Sequence, residues 1–141
     1  MGTTSYGMRI KTALEFDDAV AAITLALSEQ GFGILTRIDV KETLEAKLGV
    51  DFRPYVILGA CNPTLAHRGL EAEIDLGLLL PCNVIVYAEP DGAVVSVIDP
   101  ALMARVTENP RMHEIAVEAR SRLERALNAS VSPAGLTDAP R

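Results

Sequence analysis

Residues 81–98, PCNVIVYAEPDGAVVSVI, carry the clearest topological signal in the chain. Two runs rich in β-branched and apolar residues, 81–88 and 93–98, lie on either side of Pro90-Asp91-Gly92. Runs of this length and composition are typical of strands, and proline, aspartate and glycine together favour a tight turn. Strands joined by a tight turn pair antiparallel. The sequence therefore predicts an antiparallel hairpin here.

Three more strands are predicted upstream of this hairpin. Residues 6–14 alternate large or β-branched residues with polar or small ones, the two-residue period of a strand with one buried face. Residues 32–38 form the second predicted strand. Residues 53–61 are apolar almost without a break, as are 81–88, so we expect both faces of these two strands to be covered.

Two longer segments have the spacing of an amphipathic helix. The first begins near Phe16 and ends at Gly31, because glycine commonly follows the last turn of a helix. The second covers about residues 111–128. Their apolar stripes are Phe16, Val20, Ile23 and Leu27 in the first, and Met112, Ile115, Ala119, either Leu123 or Arg122, and Ala126 in the second.

Short helices are predicted between the strands, over residues 40–48, from Asn62 to about residue 73, and from Asp99 to about residue 106. Asp39 and Asn62 occupy N-cap positions, where a side-chain oxygen accepts from the first turn. Pro63 fits the first helical position, whose N–H has no helical partner.

This order of elements predicts one α+β domain over residues 1–128. Its architecture is β-α-β4-α, an antiparallel sheet with the first and last helices on one face and short inserted helices. Residues 129–141 contain two prolines, a glycine and small polar residues, so we expect a flexible C-terminal tail. The second face of the sheet needs a bound ligand or a second chain to cover it, and a homodimer is the commonest such assembly.

Composition narrows the function classes. A chain of 141 residues with a net charge of −6 argues against binding to nucleic acid or an anionic membrane. The longest apolar stretch, residues 76–87, contains Pro81 and Asn83 and is shorter than the ~20 residues of a spanning helix. Two cysteines do not make a secreted disulfide scaffold, and the first residues have no signal-peptide pattern. We expect a cytoplasmic protein with reduced thiols.

A Cys-Asn pair occurs twice, at 61–62 after one predicted strand and at 82–83 at the start of the next. If these strands are antiparallel neighbours, both pairs lie at the same end of the sheet. Cys61 would adjoin a helix N-terminus, whose free amides stabilise a thiolate, and His67 follows on that helix. Cys61, Asn62, Cys82, Asn83 and His67 are therefore the predicted ligand-binding residues, for a small molecule of unknown kind.

Other interpretations of these residues stay open at this point. Free cysteines commonly act as small apolar packing residues, and Asn62 is explained by helix capping. A thiol-dependent redox enzyme would use Cys61 and Cys82, and a metal- or haem-handling protein would use His67. The spacing matches no zinc signature, and the chain has no phosphate-binding glycine loop. The sequence therefore specifies neither a cofactor nor a reaction.

Several segments also resemble a known family. Gly31-Phe-Gly33, IDVK (38–41), YVILGACNP (55–63), LLLPCNV (78–84) and Asp99-Pro100 are similar to the prokaryotic domain-of-unknown-function family 302, over about residues 6–128. The resemblance implies a fold of the TATA-binding-protein-like class and a homodimer. It implies no activity, and likeness of fold does not bring DNA binding with it.

Overall fold

The computed structural model describes residues 1–131. The chain forms β1 (Gly2–Thr3), β2 (Gly7–Thr12), α1 (Phe16–Glu29), β3 (Gly33–Asp39), α2 (Val40–Leu48), β4 (Tyr55–Cys61), α3 (Pro63–Ala72), a 3-10 helix (Ile74–Leu79), β5 (Cys82–Glu89), β6 (Gly92–Ile98), α4 (Ala101–Thr107) and α5 (Met112–Ser130). The α+β class is confirmed.

All six strands join one antiparallel sheet in the order β1-β2-β6-β5-β4-β3. The predicted hairpin is present as β5 and β6, with Glu89 opposite Gly92. Gly92 has a φ of +150°, and a Cβ there would collide with the backbone oxygen of Thr12 on the neighbouring β2. Glycine is therefore required where this turn passes close to β2.

One face of the sheet is covered by α1 and α5, as predicted. Alternate residues of the central strands, among them Leu58, Val86 and Val95, form one buried cluster with Ile23 of α1 and Leu123 of α5. Fully burying a side chain of this size stabilises the fold by ~1.5–3 kcal/mol. The two amphipathic stripes therefore meet on a single core.

The opposite side of the sheet, which we call the open sheet face, carries Ile38, Tyr55, Ile57, Ile85 and Tyr87. These residues pair across β3, β4 and β5 and alternate with the core residues. The Tyr55 and Tyr87 rings stack with centroids 5.5 Å apart. Even so, Ile38 is 48% exposed and the other four are only half-buried. A single chain thus covers this face only in part.

A few boundaries differ from prediction. The last helix continues to Ser130, two residues past its predicted end, because Ser130 lies buried after Ala126 and Leu127. Strand β1 and the 3-10 helix were absent from the predicted elements. Of the predicted tail, residues 132–141 lie outside the described residues. Among residues 1–131, no helix combines the length and apolarity needed to cross a membrane.

Candidate functional site

The two cysteines lie at the same end of the sheet, as predicted. Cys82 opens β5 opposite Ala60, and Cys61 closes β4 on the next residue, opposite Gly33 of β3. Both thiols are free. Alternation along the strands places Cys82 on the helix-covered face with Ala60, whereas Cys61 is the last residue of β4, where the strand ends.

Beside the cysteines is an apolar cavity of about 360 Å³. It lies between the ends of β4 and β5, helices α3, α4 and α5, and the 3-10 helix. Its walls include Phe32, Leu65, Leu76, Met103, Met112 and Ile115. Small-molecule sites are typically clefts of ~300–1,000 Å³ with mostly apolar walls. The cavity therefore has the size and lining of a binding site.

Helix α3 forms one wall of the cavity, and the residues at its N-terminus determine where this helix begins. Asn62 Oδ1 accepts a hydrogen bond from the backbone N–H of Leu65 (3.1 Å), and Pro63 occupies the first turn. This confirms Asn62 as the predicted N-cap. With the start of α3 fixed directly after β4, Leu65 and Ala66 line the cavity beside Cys61.

The 3-10 helix forms a second wall because α3 contains Gly69. A Cβ on Gly69 would lie 2.5 Å from Leu76 Cδ2, far inside normal contact distance. Glycine therefore lets Leu76 pack directly on α3, where Leu76 is 2% exposed and lines the cavity.

Helices α4 and α5 close the remaining side. Asp99 Oδ1 accepts from the backbone N–H of Ala101 (2.9 Å) at the start of α4, and the Asp99 carboxylate also lies 3.3 Å from Arg120 Nε of α5. On α5 the lining residues include Ala116 and Ala119. Their short side chains leave space next to the sheet where longer ones would fill it.

The two thiols differ in environment. Cys82 is 8% exposed, and burial raises the pKa of its thiol to about 11, with a smaller contribution from the charge of Cys61. Cys61 is half-buried. Cys82 is therefore a protonated thiol at neutral pH, and a protonated thiol is a poor nucleophile.

Three of the five predicted site residues line the cavity, namely Cys61, Asn62 and Cys82. Asn83 is exposed opposite Gly59 and lies outside the lining. The His67 side chain is 74% exposed, with Nε2 at 2.7 Å from Glu71 Oε1, and it also lies outside the lining. Within residues 1–131, no group of three His, Cys, Asp or Glu side chains could hold a metal ion.

Most lining residues were not among the predicted site residues. Leu76, Met103 and Met112 belong to a second buried cluster, separate from the main core, together with Cys82. In the sequence they are ordinary apolar residues of helical segments. The one usable signal was the pair of small residues Ala116 and Ala119, spaced to face one side of α5.

Comparisons with known proteins agree on one family. The profile of the family described as "Domain of unknown function DUF302" matches residues 8–130. The crystal structure of an uncharacterized conserved DUF302 protein from Bacillus stearothermophilus superposes with a TM-score of 0.84 at 28% identity. The alignment covers 92% of this chain and 100% of that one. No curated protein matches. The fold and the matched segment together show that this chain belongs to the DUF302 family.

Proposed function

We propose that the protein is a binding module for a small molecule with a substantial apolar part, which occupies the cavity beside Cys61 and Cys82. The observation that carries this proposal is the lining. Among the described residues that form the walls, only Asn62, Cys61 and Cys82 carry a polar side-chain atom. A water molecule in such a space finds few of the two to four polar partners it needs, so an apolar occupant is favoured.

The walls also suit an occupant that enters from solvent. Met103 and Met112 have flexible, polarisable side chains that adapt to different shapes. Leu35 lines the cavity and is 66% exposed, so it marks the side on which the cavity opens. Each methylene group that moves from water into this lining contributes ~0.8 kcal/mol.

The chemistry of the thiols supports binding rather than redox catalysis. A thiol-dependent mechanism needs a thiolate, and burial raises the pKa of Cys82 to about 11. We therefore assign Cys82 to the wall of the cavity. We also propose a cytoplasmic location, because two free cysteines are typical of a reducing compartment.

We further propose that the protein is a homodimer that uses the open sheet face. Isoleucines at 38, 57 and 85 and the stacked Tyr55 and Tyr87 give this face a contiguous apolar surface across β3, β4 and β5. A two-fold axis over antiparallel strands buries the same residues in both chains.

Titration with decan-1-ol, followed by calorimetry, tests the binding proposal. Decan-1-ol is an uncharged chain that should bind in the cavity of the wild-type protein. Ala66→Leu adds three carbons to a lining residue of α3 and should weaken binding by about tenfold or more, since filling the space displaces the ligand. Ala46→Leu makes the same change on the exposed surface of α2 and should leave binding unchanged.

The proposal fails if wild-type protein does not bind decan-1-ol. It also fails if the Ala66→Leu and Ala46→Leu proteins bind it equally well. Circular dichroism melting curves of both variants check that each is folded at the temperature of the titration.

A further inference from the structure

Two polar side chains lie near the backbone of Gly31, beside the cavity, and one of them, Asn62, also lines the cavity. Asn62 Nδ2 lies 3.0 Å, and Arg122 Nη1 lies 3.9 Å, from the position that a Cβ on Gly31 would occupy. We call Gly31, Asn62 and Arg122 the polar corner. Gly31 has a φ of +84°, in the region that favours glycine, and a Cβ at this position would press against Asn62 Nδ2.

The Nδ2 donor of the Asn62 carboxamide is available to a ligand. Its Oδ1 is used by the backbone N–H of Leu65 in the N-cap, whereas Nδ2 has no hydrogen-bond acceptor among residues 1–131. Asn62 is also one of the residues that line the cavity. A ligand in the cavity can therefore accept from Nδ2 without disturbing the cap.

Arg122 also has unused donors. Nε donates to Glu118 Oε2 (3.2 Å) and Nη1 donates to the carbonyl oxygen of Gln30 (3.2 Å), so the described contacts engage two of its five N–H groups. Arg68 Nη1 lies 3.2 Å from the other oxygen of Glu118. Two guanidinium groups thus share one carboxylate, and the cluster keeps a local charge of +1 in a chain of net charge −6.

This cluster adjoins the cavity through three elements. Phe32, next to Gly31, is a lining residue, and Asn62 lines the cavity at the start of α3. Ala119 lines it from α5, one turn before Arg122. A ligand whose alkyl chain lies in the cavity therefore has its polar end close to the polar corner.

We infer that the ligand is an anionic amphiphile, an apolar chain with a carboxylate end that accepts hydrogen bonds from Asn62 Nδ2 and Arg122 at Gly31. This inference rests on the proposed function and adds the chemical class of the ligand. Hydrogen bonds from arginine to a carboxylate are charge-assisted and stronger than neutral ones, and the planar guanidinium matches the two oxygens of the carboxylate.

Calorimetry with sodium decanoate and decan-1-ol, which share the same chain length, tests the inference. Wild-type protein should bind decanoate about tenfold or more tightly than decan-1-ol, as expected for hydrogen bonds to a charged group. Asn62→Asp retains the cap oxygen but places a negative charge at the corner, and Arg122→Gln removes the positive one. Both variants should lose the preference for decanoate. The Arg122→Gln protein, whose substituted residue is not part of the cavity wall, should still bind decan-1-ol, which shows that the cavity is intact.

Two further variants test whether a positive charge at position 122 itself sets the preference for decanoate. Arg122→Lys keeps a positive charge and should restore part of the preference. Arg125→Gln removes a neighbouring arginine whose bonds are to the side chains of Gln30 and Ser121, and should keep most of the preference. Equal binding of decanoate and decan-1-ol by wild type, or a preference that survives Arg122→Gln, overturns the anionic ligand and leaves the proposed cavity function standing. If neither compound binds, both proposals fail.

Discussion

The two polar atoms of the Asn62 side chain have different roles. One stabilises the helix start, and the other can contact a ligand in the cavity. Its Oδ1 caps α3, and its Nδ2 lies at the polar corner. An N-cap side chain satisfies a backbone donor that the helix itself cannot. The position of the cavity wall therefore depends on a residue that also contacts the proposed ligand.

We predict that Asn62→Ala lowers the free energy of unfolding by about 1 kcal/mol, the usual contribution of an N-cap. Asn62→Ser should lose much less, because a serine hydroxyl also caps. Urea denaturation measures both, with Asn128→Ala on the exposed side of α5 as the control. An equal loss for alanine and serine at position 62 would show that the cap is not what stabilises α3.

We also predict that Cys82 resists alkylation in the folded protein. A pKa raised to about 11 means that the thiolate fraction at pH 9 is roughly 1% and increases as the pH rises through 11. Iodoacetamide at pH 9 should therefore modify Cys61 first and reach Cys82 only slowly.

Mass spectrometry of the Cys61→Ser and Cys82→Ser proteins, each with one remaining thiol, assigns the rates. Urea-denatured samples provide the reference in which both thiols react freely. Alkylation of Cys82 at the same rate with and without urea would contradict the burial that defines this wall of the cavity.

The residue-scale predictions from sequence succeeded where the signal was local. Asn62 followed by Pro63 specifies a helix start through nearest neighbours alone. Asn83 does not line the cavity. Neighbouring residues of a strand point to opposite faces of the sheet, and Cys82 is the one on the helix-covered face. On α3 the inward positions are Leu65 and Ala66, which leaves His67 facing solvent.

Among the elements, the 3-10 helix Ile74–Leu79 contributes Leu76 and Gly77 to the wall of the cavity. Ile74 and Leu78 are 82% and 88% exposed, and only Leu76 is buried. The segment is therefore anchored by Leu76, which packs on Gly69, and by the half-buried Leu79, which packs against the second buried cluster.

We predict that Gly69→Ala destabilises the protein and weakens decan-1-ol binding. The added methyl group pushes Leu76 away from α3, at the cost of ~1–3 kcal/mol usual for overpacking, against about 1 kcal/mol gained from the better helix propensity of alanine. Gly33→Ala, on β3 and outside the cavity lining, is the control, because no atom lies within 4 Å of a Cβ there. Thermal melts and titrations of the two proteins should differ, and identical behaviour would contradict this packing.

The 3-10 helix and β1 were not predicted because their sequences carry no clear local signal. The stripes of α1 and α5 are long enough for their period to be recognised, and the central strands are continuous apolar runs. The segment IDLGLL has no side-chain cap and exposes two of its large apolar residues, so its conformation depends on tertiary contacts such as that between Leu76 and Gly69. Strand β1 is two residues long and carries no periodic signal.

In the molecule as a whole, the sheet separates two apolar surfaces, one covered by helices and one only partly covered. The helix-covered face holds the core and, at its end, the cavity. The open sheet face is half-covered by the chain itself.

Light scattering at micromolar concentration should give twice the chain mass of 15.1 kDa if the open sheet face is the dimer interface. Ile85→Lys places a charge in the middle of that face and should yield a folded monomer. Val117→Lys, on the exposed side of α5, should remain a dimer. A wild-type mass near 15.1 kDa would rule out the homodimer.

If the cavity beside Cys61 and Cys82 is a ligand site, a bound alkyl chain lies against its walls, and this arrangement can be measured. Intermolecular nuclear Overhauser effects between decan-1-ol and the methyl groups of the protein test it most directly, since they report atoms within ~5 Å of each other, the range of direct packing contacts and their immediate neighbours. We expect contacts from the alkyl chain to Leu65, Leu76 and Met103. Contacts to Ile57 and Ile85 on the open sheet face instead, with none to these three residues, would contradict it.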